Sequence, residues 1–179
     1  MLKSRAHKIE IKPTKAQAEQ LKRMLMQTQA VKHWALEQWE NMYALHKANP
    51  EEPSPTYNRL CGLWTQAKPE CGNLLPRCSS DRCIKDVTTA YNNFFKNPKK
   101  FKKPSYRKKK TLRRYSMYLA NDKGQLKGAR RLKVPLINSY LKLKEKLRFS
   151  GKIMSYTLST YAGKFWVSIM MTTEVTPLC

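Results

Sequence analysis

The sequence predicts an α+β fold in which a small antiparallel β-barrel or curled sheet carries an inserted helical lobe. Apolar residues recur every three or four positions between residues 13 and 97, which is the period of amphipathic helices. In residues 1–12, and again after residue 114, they recur every second position, as in half-buried strands. An isolated strand leaves its backbone groups unpaired, so residues 1–12 are expected to pair with the C-terminal strands. Residues 1–12 and 98–179 would then form the barrel and residues 13–97 the lobe.

The first helix is predicted to begin at a capping box. Thr14 stands three residues before Gln17 and just after Pro13, so each side chain can bond the backbone N–H of the other residue. Apolar residues follow at helical spacing until Asn49-Pro50. We expect a break near residues 27–29 that divides this long segment into two helices.

Two further helices are predicted in the lobe. One covers about residues 57–67 after a turn-rich linker, and the other has Ser79 or Ser80 as its N-cap. The apolar stripe of the latter helix consists of Ile84, Val87, Tyr91, Phe94 and Phe95. Trp34, Trp39 and Trp64 lie at helical spacing, which favours packing in the core over stacking on nucleic-acid bases.

Five short strands are predicted in the C-terminal region. They cover residues 113–121, 130–137, 140–149, 152–160 and 164–172, with a hairpin turn at residues 161–164. In the last strand, Phe165, Val167, Ile169 and Met171 occupy alternate positions. One face of this strand is therefore expected to pack in a core.

The charge of the chain points to an anionic partner. The 179 residues carry 36 Lys and Arg against 12 Asp and Glu, a net charge of +24. Residues 1–96 hold +6 and residues 97–179 hold +18. Residues 96–114, which we call the basic stretch, contain eleven Lys or Arg and no acid. Repulsion among these cations opposes compaction, and nucleic acid or an anionic surface would relieve it.

Aromatic residues are interleaved with this charge, which suits neutralisation of phosphates together with stacking on unpaired RNA bases. The predicted RNA-binding residues are Lys99, Lys100, Lys102, Lys103, Tyr106, Arg107, Lys108, Lys109, Lys110, Arg113, Arg114, Arg130 and Arg131. The alternative is a solvated, flexible connector whose tyrosines pack on the barrel. Tyr115 and Tyr118 lie in a predicted strand, which favours that packing role for them.

The residues offer little catalytic chemistry. Metal-assisted hydrolysis needs two or three converging carboxylates, and the predicted β region holds only Asp122, Glu145 and Glu174. Asp122 belongs to a turn signal, and the three histidines have no Ser or Cys at nucleophile spacing. Five cysteines, an odd number without paired spacing, predict free thiols instead of disulfides or a zinc site. We therefore expect no enzymatic activity, no metal and no cofactor.

The chain is expected to be cytoplasmic and to have no membrane partner. It contains no run of about 18 apolar residues. The N-terminus has a charged start without the apolar region of a secretion signal. The basic stretch also lacks the adjoining amphipathic helix that membrane attachment would use.

Six segments, taken in order, resemble the N-terminal half of TnpB-like transposon-encoded RNA-guided nucleases and compact type V CRISPR effectors. They are AHKIEIKPTKAQAEQL, AVKHWALEQW, SSDRCIKDVTTAYNNFFKN, KPSYRKKK, LKVPLINSYLKLK and GKIMSYTLSTYAGKFWVSIMM. The resemblance implies that the first strand and the C-terminal strands form a wedge-like β-barrel and that the helices form a recognition-like lobe. In that family the two bind the guide-RNA scaffold and the start of the guide–target duplex, and a short DNA motif is read between them.

The resemblance maps individual residues as well. Pro104, Tyr106 and Arg107 match the family's Pro-aromatic-Lys element, and Val134-Pro135 matches the proline at the start of a strand.

The chain also departs from the family pattern. Gln29 and His33 stand where the family has an Arg and an Asn flanking the turn into the second helix, and Asn138 stands where it has a Gly. The family continues into a RuvC-like nuclease domain, whereas this sequence ends at Cys179. Cleavage by the family's mechanism is therefore not expected of these residues.

The leading interpretation is a non-catalytic RNA-binding module, equivalent to the wedge and recognition lobes of an RNA-guided DNA nuclease. Its expected partner is a structured guide or scaffold RNA, with target DNA and a nuclease or CRISPR effector chain as further candidates. The alternatives are a stand-alone inhibitor or decoy that captures guide RNA or joins an effector, and a fragment of a full-length nuclease. A regulator of double-stranded DNA would need a basic second helix, whereas QAVKHWALEQWENMY is acidic.

Overall fold

The computed structural model describes residues 2–67, 73–106 and 114–174. The chain forms two compact units. The sheet unit contains residues 1–26 and 113–179, and the helical unit contains residues 27–112. Residues 15–26, at the start of the first helix, thus group with the strands, and residues 97–106 group with the helices, whereas the sequence predicts unit boundaries at residues 12 and 97.

The sheet unit is built on one antiparallel sheet of seven strands in the order β2-β6-β7-β1-β5-β4-β3. The strands are β1 (Leu2–Lys12), β2 (Arg114–Ala120), β3 (Gln125–Lys127), β4 (Arg131–Lys133), β5 (Leu141–Leu143), β6 (Lys152–Tyr161) and β7 (Lys164–Glu174). Strands β2 and β3 are the two edges, and no described residue pairs one with the other. Among the described residues the sheet is therefore open and not a closed barrel.

Strand β1 lies inside the sheet and joins its two halves. It pairs with β7 from Leu2↔Glu174 to Ile11↔Phe165, and with β5 through Ile11↔Leu143 and Lys12↔Lys142. The predicted pairing of residues 1–12 with the C-terminal strands is confirmed.

The strands between β2 and β6 are shorter than the sequence predicts, and β3 was not predicted. Strand β4 ends before Val134-Pro135, because proline has no N–H to donate to a neighbouring strand. Strand β5 ends at Leu143. Further along the chain, the Arg148 N–H donates to the His7 side chain, at Nδ1 3.3 Å away, and not to the backbone of a neighbouring strand.

One face of the sheet forms the core. The side chains at alternate positions of β1 and β7 are at most 4% exposed from His7 to Ile11 and from Val167 to Met171. Gly124 allows Tyr156 to pack in this core, since a Cβ at residue 124 would lie 2.5 Å from the tyrosine ring. The opposite face, which we call the polar face, carries Lys8, Glu10 and Ser168 at the intervening positions, together with Met170.

Helix α1 (Lys15–Ala48) begins as the sequence predicts. The N–H of Thr14 donates to Gln17 Oε1 at 3.0 Å, and the N–H of Gln17 donates to Thr14 Oγ1 at 3.3 Å, which confirms the capping box. The same Gln17 amide donates to Ser139 Oγ at 2.6 Å and to the Tyr140 carbonyl at 3.2 Å, so it also holds the segment before β5. The predicted break near residues 27–29 is wrong. No Gly or Pro interrupts the helix, and glutamine is a good helix former.

The helical unit contains the rest of α1 together with α2 (Tyr57–Ala67) and α3 (Arg77–Lys96). Trp39 stacks on Tyr91 with ring centroids 5.0 Å apart, and Trp34 meets Trp64 edge to face at 4.9 Å. Trp39 and Trp64 are buried, so their predicted packing role is confirmed.

Helix α3 begins earlier than the sequence predicts, since Pro76 is its N-cap. Ser79 and Ser80 already lie in the first turn, where both donate their N–H to the Pro76 carbonyl. Because both serines lie within the helix, the prediction that one of them is the N-cap is wrong.

Candidate nucleic-acid interface

Both units are strongly basic. The sheet unit contains twenty Lys and Arg against five acids, a net charge of +15, and the helical unit contains sixteen against seven, a net charge of +9. Each unit therefore has enough excess charge for an anion-binding surface of its own.

Four cations form a continuous row across the polar face of the sheet. The strand registers place Lys127 opposite Arg131, Arg131 opposite Lys142, and Lys142 opposite Lys12. We call these four residues the cationic row. Adjacent strands lie about 4.8 Å apart, so the row is about 14 Å long. All four side chains are exposed, and none forms an ion pair with a described carboxylate.

Two more basic residues adjoin one end of the cationic row. Arg130 and Lys146 line a cleft of about 400 Å³ together with Lys127 and Arg131, and no acid lines it. The tight turn between β3 and β4 creates this cleft. Gly128 takes φ +63° there, a conformation that other residues rarely adopt. The structure thus brings the predicted residues Arg130 and Arg131 together with two lysines that the sequence reasoning missed.

The predicted lysines of the basic stretch lie just after α3 in the helical unit. The Lys100 N–H donates to the Asn97 carbonyl and to Asn97 Oδ1, both at 3.1 Å, which forms a turn. Lys99, Lys100 and Lys102 are exposed, and none forms an ion pair with a described residue. Lys103 differs from them, since its Nζ lies 3.1 Å from Glu40 Oε1. Three of the four lysines therefore present uncompensated charge.

Tyr106 packs against α1 while half of its ring stays accessible. Its ring centroid lies 5.0 Å from that of His33, edge to face, and the residue is 48% exposed. His33 is itself held by Gln29, whose Nε2 donates to His33 Nε2 at 3.0 Å. Partial burial, followed by the carboxylates of Glu37 and Glu40, raises the pKa of Tyr106. The accessible half of the ring can stack on a base.

Arg114 lies in the sheet unit at the start of β2. Its guanidinium carbon is 4.3 Å from the centre of the Tyr161 ring. The remaining predicted residues, Arg107, Lys108, Lys109, Lys110 and Arg113, lie outside the described residues. Of the residues that fall in the described ranges, the structure brings Arg130 and Arg131 together and places Arg114 at another position on the sheet.

The acids Glu10 and Glu145 of the sheet unit each face a different cation. Glu10 accepts from Lys144 at 2.9 Å, and this hydrogen bond lowers the pKa of Glu10. Glu145 accepts from Arg148 at 3.0 Å, which lowers its pKa in the same way. Across residues 2–67, 73–106 and 114–174, no three His, Cys, Asp or Glu side chains come close enough together to hold a metal ion.

The comparison with known families found a match in the first part of the chain. Residues 1–48 match the model of the helix-turn-helix domain of the IS605 OrfB family. The match covers 48 of the 179 residues and points to a likeness of this segment to the N-terminal region of the IS605 OrfB (TnpB) transposases, a family whose helix-turn-helix domain suggests nucleic-acid binding. In this structure the matched residues form strand β1 and one unbroken helix. A search of curated proteins gave no match.

No helix within the described ranges has the length and apolar character needed to cross a bilayer.

Proposed function

We propose that this protein is a non-catalytic RNA-binding module that holds a structured guide or scaffold RNA, in the manner of the wedge and recognition lobes of an RNA-guided DNA nuclease. The main observation that supports the proposal is the cationic row. Like charges directly opposite each other on neighbouring strands destabilise a sheet. Four in one row therefore oppose folding unless an anion lies against them, and the phosphates of a nucleic acid supply a line of such anions.

The aromatic residues favour RNA with unpaired bases over regular duplex DNA. Tyr106 is half exposed beside exposed lysines, and Phe101 is 39% exposed with Lys100 Nζ 5.6 Å from its ring centre. Base stacking on such rings is how proteins hold single-stranded or looped RNA. Residues 29–43 of α1 hold Glu37 and Glu40 against the single Lys32, so this part of the helix lacks the positive charge of a helix that enters a duplex groove.

Two carboxylates of the sheet unit support the proposal of a non-catalytic role. Glu10 and Glu145 each bind a Lys or Arg, so their oxygens are already engaged. Two-metal hydrolysis of a phosphodiester needs carboxylates that converge on the ions instead.

The test compares the wild type with Lys127→Ala/Arg131→Ala/Lys142→Ala. Filter binding with scaffold RNA, random RNA and duplex DNA is measured at several salt concentrations. We expect the wild type to prefer scaffold RNA, and we expect the variant to show a salt slope flatter by about 0.7 for each phosphate that the protein no longer neutralises. Because the variant removes repulsion, its melting temperature without RNA should stay the same or rise.

The control is Lys3→Ala/Lys85→Ala/Lys152→Ala, which removes the same charge from exposed residues that are not members of the cationic row. It should bind RNA more tightly than the row variant does. Equal wild-type affinity for all three nucleic acids would rule out guide or scaffold recognition. Equal binding by the row variant and the wild type would show that the cationic row is not the site.

A further inference from the structure

The sheet unit contains a second cleft, of about 380 Å³, between the first turns of α1 and the β6–β7 turn. Three aromatic rings line it on the sheet side, those of Tyr115, Tyr161 and Phe165. Lys15, Glu19 and Lys22 line it on the helix side. The volume lies within the range of small-ligand sites, about 300–1,000 Å³, and one nucleoside would fit it.

The lining residues suit a flat ring that has polar groups along its edge and a negatively charged group next to it. Tyr161 is 45% exposed, and Arg114 lies over its ring. Lys15 and Lys22 line the helix side of the cleft, where they can bind phosphates on either side of such a ring. Glu19 is the one acid among the lining residues, and in the described parts of the chain nothing forms an ion pair or hydrogen bond with its side chain.

We propose that this cleft binds a single unpaired nucleobase of the RNA, with guanine preferred. The inference rests on the proposed RNA-binding function. Unpaired bases of bound RNA are commonly splayed out, stacked on aromatic or Arg side chains and bonded along their Watson–Crick edge. The Glu19 carboxylate has two acceptor oxygens, which match the adjacent N1–H and N2–H donors of guanine. Adenine has a single donor group on that edge, and uracil a single N–H.

The probes are fluorescently labelled pentaribonucleotides of uridine whose central residue is guanosine, adenosine or abasic. Anisotropy at one fixed salt concentration gives the affinities. Removal of one base stack weakens binding about 5- to 140-fold, so the guanosine probe should bind the wild type tighter than the abasic probe by that factor. The adenosine probe should lie between them, because it stacks but lacks the second donor.

Three variants locate the effect in the cleft. Ala18→Phe fills it, and Tyr161→Ala, at an exposed position, removes one ring; both should bring the guanosine and abasic probes to within about twofold of each other. Glu19→Ala should keep the preference for a base over the abasic probe but lose the preference for guanosine over adenosine. Tyr43→Ala is the control, since Tyr43 is similarly exposed, at 41%, and lies in the helical unit.

The outcomes separate this inference from the proposed function. If the wild type binds neither long scaffold RNA nor the pentamers, both fall. If it binds scaffold RNA but binds the guanosine, adenosine and abasic pentamers equally, the base site is wrong and the proposed function stands. Equal effects of Tyr43→Ala and Tyr161→Ala would also overturn the base site.

Discussion

Lys103 of the basic stretch and Glu40 of α1 form an ion pair, with Nζ 3.1 Å from Oε1. Glu40 also accepts a hydrogen bond from the Tyr91 hydroxyl at 3.1 Å. One carboxylate thus fixes this part of the basic stretch to the helical unit. The lysines before Lys103 remain available to a ligand.

Replacing Lys99, Lys100 and Lys102 with alanine should weaken RNA binding more than replacing Lys103 alone. The three lysines have uncompensated charge, and the salt slope flattens by about 0.7 for every phosphate left without its lysine. Plots of log affinity against log salt test this. Parallel lines for the triple variant and the wild type would favour the solvated-connector interpretation of the stretch.

Glu40→Gln should tighten RNA binding and steepen the salt slope by about 0.7, because it frees Lys103 to bind a phosphate. The amide oxygen can still accept from the Tyr91 hydroxyl, so the unfolding free energy should change by less than about 1 kcal/mol. Lys103→Ala/Glu40→Gln is the control and should lose the gain. A gain that persists in the double variant would show that Lys103 is not the cation released.

Ile9→Ala should lower the unfolding free energy by about 2–5 kcal/mol, because Ile9 is fully buried in the central strand. Lys3→Ala is the matched control in the same strand and should change it by about 0.5 kcal/mol or less, since Lys3 is exposed. Urea unfolding monitored by circular dichroism measures both. Similar midpoints for the two variants would contradict the central position of β1.

Cys83 should resist alkylation in the folded protein at pH 8. Burial raises the pKa of this thiol to about 11, and the thiolate is the reactive form. Iodoacetamide labelling followed by peptide mapping should show modification only after denaturation. Rapid labelling of Cys83 in the native protein would contradict its burial.

Because the thiol of Cys83 ionises at a lower pH in the unfolded chain than in the folded protein, the contribution of Cys83 to the unfolding free energy should fall as the pH rises from about 9 towards 11.

Local patterns predicted the parts of the fold whose causes are local. The Thr14–Gln17 capping box depends on residues three apart, and the period of two in β1, β6 and β7 follows from one buried face. Strand β3 has three residues and no apolar run of its own, so only its pairing with β4 defines it. The break expected near residues 27–29 does not form, because the segment has no Gly or Pro and glutamine is a good helix former.

The candidate site could be predicted only in part, because most of its contacts join residues that are far apart in sequence. Density of charge along the chain singled out the basic stretch, whereas the cationic row consists of residues far apart in sequence. Lys12 and Lys142 face each other across 130 positions. Strand register, which depends on the whole sheet, decides such neighbours. The pairing of Lys103 with Glu40 is equally non-local.

The central position of β1 has a consequence for the order in which the protein forms during synthesis. The helical residues emerge from the ribosome before β7, and their contacts are mostly local, so they can fold early. Strand β1 is translated first, yet its main partner, Lys164–Glu174, is among the last described residues to appear. Until β5 and β7 have been translated, β1 has neither of its partner strands, and Lys12 can meet Lys142 only once β5 is available. The cationic row can therefore assemble only after β5 has been translated, 130 residues after Lys12.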